Sequence, residues 1–270
     1  MKLKMDNKDI GLMNNEMNKN ISIKKLLADD EPPAYEIVNA NGPSDFVLVC
    51  DHASKRVPRS LNNLGLTTDQ LDDHIGWDPG AADVARLLSQ NLNAPLVLSG
   101  YSRLVIDCNR PLQSVQSIPE QSAGVLIPGN QNVNEEQRAL RVNDLFQPYH
   151  SAITQLLESR KNRTTYLLSI HSFTPVLNNQ QRPWHIGVSF WRDNYFAQKL
   201  INAMSQSEDI VVGDNEPYAI DAEFDYAVPV HGEGRSLPSA MLEIRQDGIR
   251  SAEGVSEWAE RITAACLQIK

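Results

Sequence analysis

The sequence predicts an α/β fold: a single three-layer domain in which a mixed, mostly parallel sheet lies between helices. Short apolar runs with little polar alternation recur along the chain, and this is typical of strands that are buried on both faces. Segments with helical periodicity separate these runs, as in sheets whose strands are joined by helices. The length of 270 residues fits one large α/β domain or two small ones.

Composition and charge exclude several classes of protein. Hydrophobic residues make up 41% of the chain and charged residues 22%, an ordinary globular balance. The net charge of -9 argues against a nucleic-acid binder, because phosphate contacts need an excess of Lys and Arg. The longest apolar runs are too short to span a membrane, and no secretory signal is evident. Three cysteines fit neither a disulfide framework nor a thiolate metal cluster, so we expect a cytoplasmic protein.

The elements follow from these patterns in chain order. Residues 1–30 show no steady period and are predicted to form a mobile extension with a short helix at 21–27, while residues 31–270 form one globular domain. Strands are predicted at 46–50, 95–98, 104–106, 166–170, 186–191, 210–212 and 240–244. Helices are predicted to start at Asp78-Pro79, with Asp78 as N-cap, and at Asn134, with a kink at Pro148. Two further helices are predicted at 195–204 and 252–266.

Polar residues follow three of these predicted strands. Asp51 and His52 come directly after the first strand, residues 107–110 follow the strand at 104–106, and His171 follows the strand at 166–170. Ligand sites in open α/β sheets lie beyond the carboxyl ends of the strands. The sequence therefore predicts one shared site at this edge of the sheet.

Two histidines at strand ends are candidate metal ligands. The imidazoles of His52 and His171 could converge on one ion, although each could instead make a local hydrogen bond. Asp51 and Asp78 compete to be the carboxylate ligand. Asp51 would need a turn, since successive side chains of a strand point to opposite faces, and Asp78 has the alternative role of a helix cap.

Other charged residues suggest catalytic or substrate-binding roles. Arg103 and Arg110 flank the segment 104–106, and each could hold a carboxylate in a bidentate pair, although one of them could instead pair with Asp107. Glu243 interrupts an apolar strand, so it either meets a cation such as Arg245 or serves as a base with a shifted pKa. No nucleophile elbow is present, which argues against a serine hydrolase.

Two loops are candidate substrate contacts. His231 lies in the glycine-rich segment His231-Gly232-Glu233-Gly234, which is predicted to be a mobile loop that closes over substrate. Tyr218 ends the segment 213–218, which is interpreted first as a turn and second as a substrate contact through Asn215 or Tyr218.

Several ordered motifs together resemble the N-formylglutamate amidohydrolase family, in particular its predicted branch. The resemblance covers about residues 30–265. The motifs are Cys50-Asp51-His52-Ala53-Ser54, Trp77-Asp78-Pro79-Gly80-Ala81, Ser102-Arg103-Leu104-Val105-Ile106-Asp107 with Asn109-Arg110-Pro111, His171-Ser172-Phe173-Thr174-Pro175, Gly213-Asp214-Asn215-Glu216-Pro217-Tyr218 and Leu242-Glu243-Ile244-Arg245-Gln246-Asp247.

The resemblance implies a phosphorylase/carboxypeptidase-like fold, as in the zinc carboxypeptidases. It implies one metal, zinc or another divalent ion, held by His52, His171 and a carboxylate. The usual acidic ligand three residues after the first histidine is replaced by Lys55, so Asp78 becomes the preferred carboxylate ligand and Asp51 the second choice. Glu243 resembles the general base of that fold.

The implied activity is metal-dependent hydrolysis of the amide bond in an N-formyl or other N-acyl amino acid such as N-formylglutamate. Arg103 and Arg110 would stabilise the oxyanion and hold the carboxylate of this small anionic substrate, with further contacts from Asn109, His231 and Tyr218. One alternative is a zinc amidase or carboxypeptidase that acts on another N-acyl or peptide substrate. A second is a non-catalytic binding protein on the same fold.

Overall fold

Seven strands form one mixed sheet in the computed structural model, which describes residues 25–269. In chain order they are β1 (Tyr35–Val38), β2 (Phe46–Cys50), β3 (Leu96–Ser99), β4 (Tyr166–Phe173), β5 (Ile186–Ser189), β6 (Val212–Asp214) and β7 (Ser239–Arg245). Their spatial order is β1-β3-β2-β4-β7-β5-β6. The central strands β3, β2, β4 and β7 are parallel, whereas β1 pairs antiparallel with β3 and β5 pairs antiparallel with β7. The predicted mixed, mostly parallel sheet is confirmed.

Helices cover both faces of this sheet. They are α1 (Thr68–Asp72), α2 (Ala81–Leu92), α3 (Glu135–Arg141), α4 (Gln147–Glu158), α5 (Tyr195–Met204) and α6 (Ala252–Ile269). On one face, α2, α5 and α6 pack on strand residues such as Leu48 and Leu96, and on the other face α4 packs on Val47 and Val97. This three-layer arrangement explains the continuous apolar runs. Within 25–269, no helix combines the length and the apolar character that crossing a membrane requires.

The predicted strand at 104–106 is wrong. The segment is fully buried but forms turns, and side chains from other loops satisfy its backbone. The carbonyl oxygen of Leu104 accepts a hydrogen bond from Asn130 Nδ2 at 2.8 Å, and that of Val105 accepts one from Arg141 Nη1 at 2.9 Å. Because these side chains supply the donors, the apolar run is buried without a neighbouring strand.

The prediction that Asp78 caps a helix is also wrong. Helix α2 begins at Ala81, and its N-cap is Gly80 in the left-handed conformation with φ 81°. A Cβ atom at Gly80 would lie 2.5 Å from the carbonyl oxygen of Ile249, so this position requires glycine. The tight turn before the helix frees the Asp78 carboxylate from capping and directs it into the protein.

The helix predicted from Asn134 is present in two parts. Asn134 caps α3 with a capping box in which Gln137 is the reciprocal partner. A π turn at Val142–Phe146 then leads into α4, whose second residue is Pro148. Proline lacks an N–H group and its ring crowds the preceding turn, so the wider turn lies where the kink was predicted.

The last residues of the predicted extension pack on the domain. Leu26 is buried, and its N–H donates to Asp144 Oδ2 at 2.5 Å. Its carbonyl oxygen accepts a hydrogen bond from Ser60 Oγ at 2.7 Å. Residues 1–24, which include the start of the helix predicted at 21–27, lie outside the described residues. Residues 25–27 are not helical.

Candidate metal centre and active site

Three buried side chains at the carboxyl ends of β2 and β4 form a candidate metal centre. One ligand atom from each of His52, Asp78 and His171 lies within 4.8 Å of the other two. Asp78 Oδ2 is 3.3 Å from His52 Nδ1 and 2.8 Å from His171 Nδ1. The two imidazole rings meet edge to face with centroids 4.8 Å apart. Two imidazole nitrogens and a carboxylate oxygen are a donor set typical of catalytic zinc sites.

The remaining ring nitrogens of both histidines face carboxylates. His52 Nε2 lies 2.7 Å from Asp107 Oδ1, and His171 Nε2 lies 3.1 Å from Asp51 Oδ2. In metal sites, such carboxylates hold the tautomer and the orientation of the ligating ring. The two Nδ1 atoms are therefore the ones available to an ion, and these residues fit a divalent metal.

The sequence positions these groups through two turns and one strand. Strand β2 ends at Cys50, and the turn that follows brings His52 toward Asp78, whose N–H donates to the His52 carbonyl oxygen at 3.0 Å. Strand β4 extends past His171, which the sequence placed after the strand. In β4, Leu168 and Ile170 belong to the core cluster that also contains α2. Because successive side chains of a strand alternate between its faces, His171 points to the opposite face, where the site lies.

Asp51 lies behind the candidate metal centre. Its Oδ1 atom accepts a hydrogen bond from the Tyr149 hydroxyl at 2.9 Å, and its Oδ2 atom accepts one from Ser169 Oγ at 2.9 Å. With Oδ2 also directed at His171, the carboxylate is fully engaged. Of the two carboxylates considered as metal ligands, Asp78 is the one whose oxygen lies between the two Nδ1 atoms.

Electrostatics of the site keep its charges paired. Burial lowers the pKa of His171, but its hydrogen bonds to Asp51 and Asp78 outweigh burial and hold this pKa well above the ordinary value. Burial raises the pKa of Asp78, but the two histidines outweigh it and lower this pKa. Protons and a metal ion therefore compete for the same histidine nitrogens, so metal affinity should rise with pH.

Glu243 stands beside the candidate metal centre on β7. It is the register partner of His171 on the parallel neighbour β4, so both side chains point to the same face. The side chain is buried, and its Oε2 atom has no hydrogen-bond partner within residues 25–269. Burial raises its pKa to about 7. It does not pair with Arg245, which binds Asp247 instead. Of the two predicted roles, the structure is compatible with a base.

A cavity of about 310 Å³ opens in front of the three candidate ligands and Glu243. Besides Glu243, five residues were predicted to contact the substrate, and four of them line the cavity: Arg103, Asn109, Arg110 and Tyr218. It also contains apolar side chains that were not predicted: Phe173, Leu177, Phe224 and Met241. Its size suits a small molecule.

Both arginines are ion-paired. Arg103 donates to Asp107 Oδ2 at 3.0 Å and lies 3.4 Å from Asp78 Oδ1. Arg103 is therefore the arginine that pairs with Asp107. Arg110 Nη1 donates to Asp225 Oδ1 at 3.0 Å and to the Phe224 carbonyl oxygen at 2.6 Å. Arg103 thus bridges the candidate metal centre to the cavity, and Arg110 lies at the cavity wall.

His231 does not line this cavity. Residues Ala227–Gly232 form a helical turn instead of a mobile loop, and His231 is 2% exposed. Its Nε2 atom lies 2.9 Å from His150 Nδ1, and the two rings stack on the α4 side of the sheet. The glycines suggested mobility, but the contact between the two imidazoles, with Tyr226 against both rings, fixes the segment.

This buried pair predicts a loss of stability in acid. Burial lowers the pKa of His150 to about 3 and that of His231 to about 4, whereas an unfolded histidine titrates near 6.5. The unfolded state therefore binds more protons as pH falls below 6.5, and stability that is fully present above this pH is lost. Between pH 7.5 and pH 5 we expect the free energy of unfolding to fall by about 2 kcal/mol for each histidine.

The measurement is urea unfolding of metal-free protein at both pH values. His231→Asn should remove about half of the decrease that this pair causes. The control His185→Asn, which removes a histidine outside the pair, should retain it. An unchanged decrease in His231→Asn would contradict the assignment.

Sequence reasoning missed the wall of the cavity formed by Phe224 and Asp225. Asn109 reaches this segment: its Oδ1 atom accepts hydrogen bonds from the N–H groups of Tyr226 and Ala227 at 3.0 and 2.9 Å. Asn109 therefore positions the cavity wall. No local pattern marks the segment 219–226 as a partner of Asn109, which is 116 residues from Asp225 in sequence.

Comparison with known proteins identifies the family. The model of the N-formylglutamate amidohydrolase family matches residues 44–250. The chain belongs to this family. The match covers every candidate ligand and Glu243, so the resemblance drawn from the motifs is confirmed, and family membership supports amidohydrolase activity. Among proteins with curated annotation, none matches this chain.

Two solved structures extend the comparison. A gene product of Agrobacterium tumefaciens, Atu2144, is 33% identical, with a TM-score of 0.86 over 91% of this chain and 99% of its own. An N-formylglutamate amidohydrolase from Ralstonia eutropha JMP134 has a TM-score of 0.59 at 15% identity, over 88% of this chain and 97% of its own. The second likeness shows the shared α/β fold of the family.

Proposed function

We propose that this protein is a zinc-dependent hydrolase that cleaves the amide bond of a small N-acyl amino acid, such as an N-formyl amino acid. The observation that carries the proposal is the convergence of His52, Asp78 and His171 beside Glu243, whose Oε2 atom is buried and has no hydrogen-bond partner in the described part of the chain. The N-formylglutamate amidohydrolase family supplies the reaction type. The cytoplasmic location predicted from the reduced cysteines is part of this proposal.

His52, Asp78 and His171 would hold the metal, with Asp107 and Asp51 orienting the two imidazoles. A bound divalent ion supplies Lewis acidity, which activates water and polarises the acyl oxygen. The buried surroundings limit competing water and strengthen every charge interaction in the site.

Glu243 moves the proton in this proposal. Its carboxylate accepts a proton from water as the water oxygen bonds to the acyl carbon. It then delivers that proton to the amide nitrogen as the carbon–nitrogen bond breaks, leaving a carboxylic acid and a free amine. A pKa of about 7 suits both steps, since the group gains and loses a proton readily near neutral pH.

The arginines take separate roles. Arg103 contacts Asp78 and Asp107, so its positive charge lies next to the ligands, where the developing oxyanion needs stabilisation. Arg110 is farther along the cavity wall and has donor atoms beyond its Asp225 contact, so it can hold the substrate carboxylate. Tyr218 lies on the same cavity and offers a hydroxyl contact.

A product assay tests the proposal. Zinc-loaded protein should release formate from N-formyl-L-amino acids, a panel that includes N-formyl-L-glutamate, and chelation should abolish release. Activity on N-acetyl amino acids or peptides alone would replace the N-formyl assignment by another amidase or carboxypeptidase. Binding of the panel without any hydrolysis would favour a binding protein instead.

A further inference from the structure

Large apolar side chains surround the mouth of the catalytic cavity. Leu177, Tyr218 and Phe224 line it and are 39%, 42% and 49% exposed. Phe173 and Met241 add buried apolar surface farther inside. Exposed apolar groups gathered at a cavity are typical of a ligand-binding surface, because their contact with water is unfavourable until a ligand covers them.

The cavity offers one place for a substrate carboxylate. Arg110 uses Nη1 for Asp225 and two carbonyl oxygens, and its Nε and Nη2 atoms have no partner among residues 25–269. That free edge has the geometry for one bidentate carboxylate. Arg103, the other arginine that lines the cavity, is already shared between Asp78 and Asp107.

A second substrate carboxylate would meet unfavourable surroundings. The acids Asp78, Asp225 and Glu243 all line the same cavity. The nearby cation Arg182 is buried behind the apolar rim: it lies over the Tyr218 ring at 4.8 Å, and it donates to the Tyr218 hydroxyl at 2.6 Å. His74 also lines the cavity, but its Nδ1 atom already faces Asp73 Oδ1 at 2.7 Å. A charged side chain placed at the rim would therefore lose water without gaining an unpaired cation.

We propose that the preferred substrate is an N-acyl amino acid with a single carboxylate and an apolar side chain. This inference rests on the proposed hydrolase function and specifies its substrate class. The α-carboxylate binds the free edge of Arg110, and the side chain covers Leu177, Tyr218 and Phe224. A γ-carboxylate, as in N-formylglutamate, is selected against by the acids and by the apolar rim.

The test compares three N-formyl-L-amino acids on zinc-loaded protein. Leucine supplies an apolar side chain, glutamate a charged one, and glutamine a neutral side chain of nearly the same shape as glutamate. We expect kcat/KM to fall in the order leucine, glutamine, glutamate, with at least about a tenfold difference between the first and the last. A value for glutamate equal to or above that for leucine overturns the inference.

A binding measurement separates this inference from the proposed function. Calorimetry on the same protein measures binding of the free amino acids L-leucine and L-glutamate, which are the products. If no substrate is hydrolysed, the hydrolase proposal fails, and tighter binding of leucine still supports the apolar cavity. Equal binding of both, tighter binding of glutamate, or no binding of either contradicts it.

Two variants locate the selectivity on the small hairpin in which Val176–Leu177 pairs with Gln180–Gln181. Leu177 lines the cavity, whereas its neighbour Val176, 44% exposed, does not. Leu177→Arg should lower the preference for leucine over glutamate about tenfold, and Val176→Arg should leave it unchanged. An equal change in both variants would mean that charge at the surface, and not contact in the cavity, sets the preference.

Discussion

Replacement of Glu243 by glutamine is expected to lower kcat/KM by about three orders of magnitude while leaving zinc content unchanged. The carboxyl group is buried, its Oε2 atom has no hydrogen-bond partner among the residues that the structure describes, and it lies beside His171 in register. Glutamine has nearly the same shape but cannot accept and release the proton. The measurement is steady-state kinetics on protein whose zinc content is determined.

The exposed acid Glu208 supplies a control, since Glu208→Gln removes one carboxylate that does not line the cavity and should retain full activity. Circular dichroism and the melting temperature show whether Glu243→Gln keeps its fold. A decrease in kcat/KM below tenfold in a folded, zinc-loaded variant would exclude Glu243 as the base.

Replacement of Asp78 by asparagine is expected to weaken zinc binding by more than about 100-fold. Changes to residues that only orient a metal ligand typically lower metal affinity by about 10- to 100-fold, and the loss of a ligand itself should exceed this. Asp78 Oδ2 lies between both Nδ1 atoms, and Asp78 also contacts Arg103. The amide removes the negative charge that all these groups share. Competition with a fluorescent chelator measures the affinity.

Stability provides a second readout for Asp78. Zinc at 100 times its Kd should raise the free energy of unfolding of the wild-type protein by about 2.7 kcal/mol, and should leave that of Asp78→Asn nearly unchanged. Asp83→Asn, an exposed change in the first turn of α2, is the matched control and should bind zinc normally. If Asp78→Asn does not fold, Asp78→Glu tests the same contact with the charge retained. Unaltered zinc affinity in a folded variant would assign the ligand role elsewhere.

The sheet and two of the three candidate metal ligands follow from local patterns. Strands such as 46–50 are apolar throughout because both faces are covered. His52 and His171 are recognisable because each is a polar residue at or just after the end of such an apolar run. Glu243 is visible for the same reason, as a charge inside a buried strand. The periodicity of apolar residues, and the burial that it indicates, can be read from a short stretch of sequence, so the sequence is sufficient to predict these elements.

Contacts between distant segments could not be predicted in this way. Leu104–Ile106 is as apolar as a strand, yet donors from Asn130 and Arg141 replace the sheet. His231 lies among glycines that suggest a loop, yet His150, 81 residues away, fixes it. Asp78-Pro79 has the pattern of a helix start, and only the positions of both histidines show that its carboxylate has another use. Each outcome depends on a partner that no local pattern identifies.

The pairing of His171 with Glu243 across β4 and β7 has a consequence for how such a site can diverge. Two adjacent paired strands fix the separation of the histidine and the carboxylate at the spacing of a sheet, about 4.8 Å between backbones. A two-residue strand at Leu177 and the loop around Phe224 form the cavity mouth, outside the main sheet. Substitutions or insertions in these two segments can therefore change which ligand the cavity accepts while His171 and Glu243 keep their alignment. Related proteins would then differ in their ligands and retain the same pair of side chains.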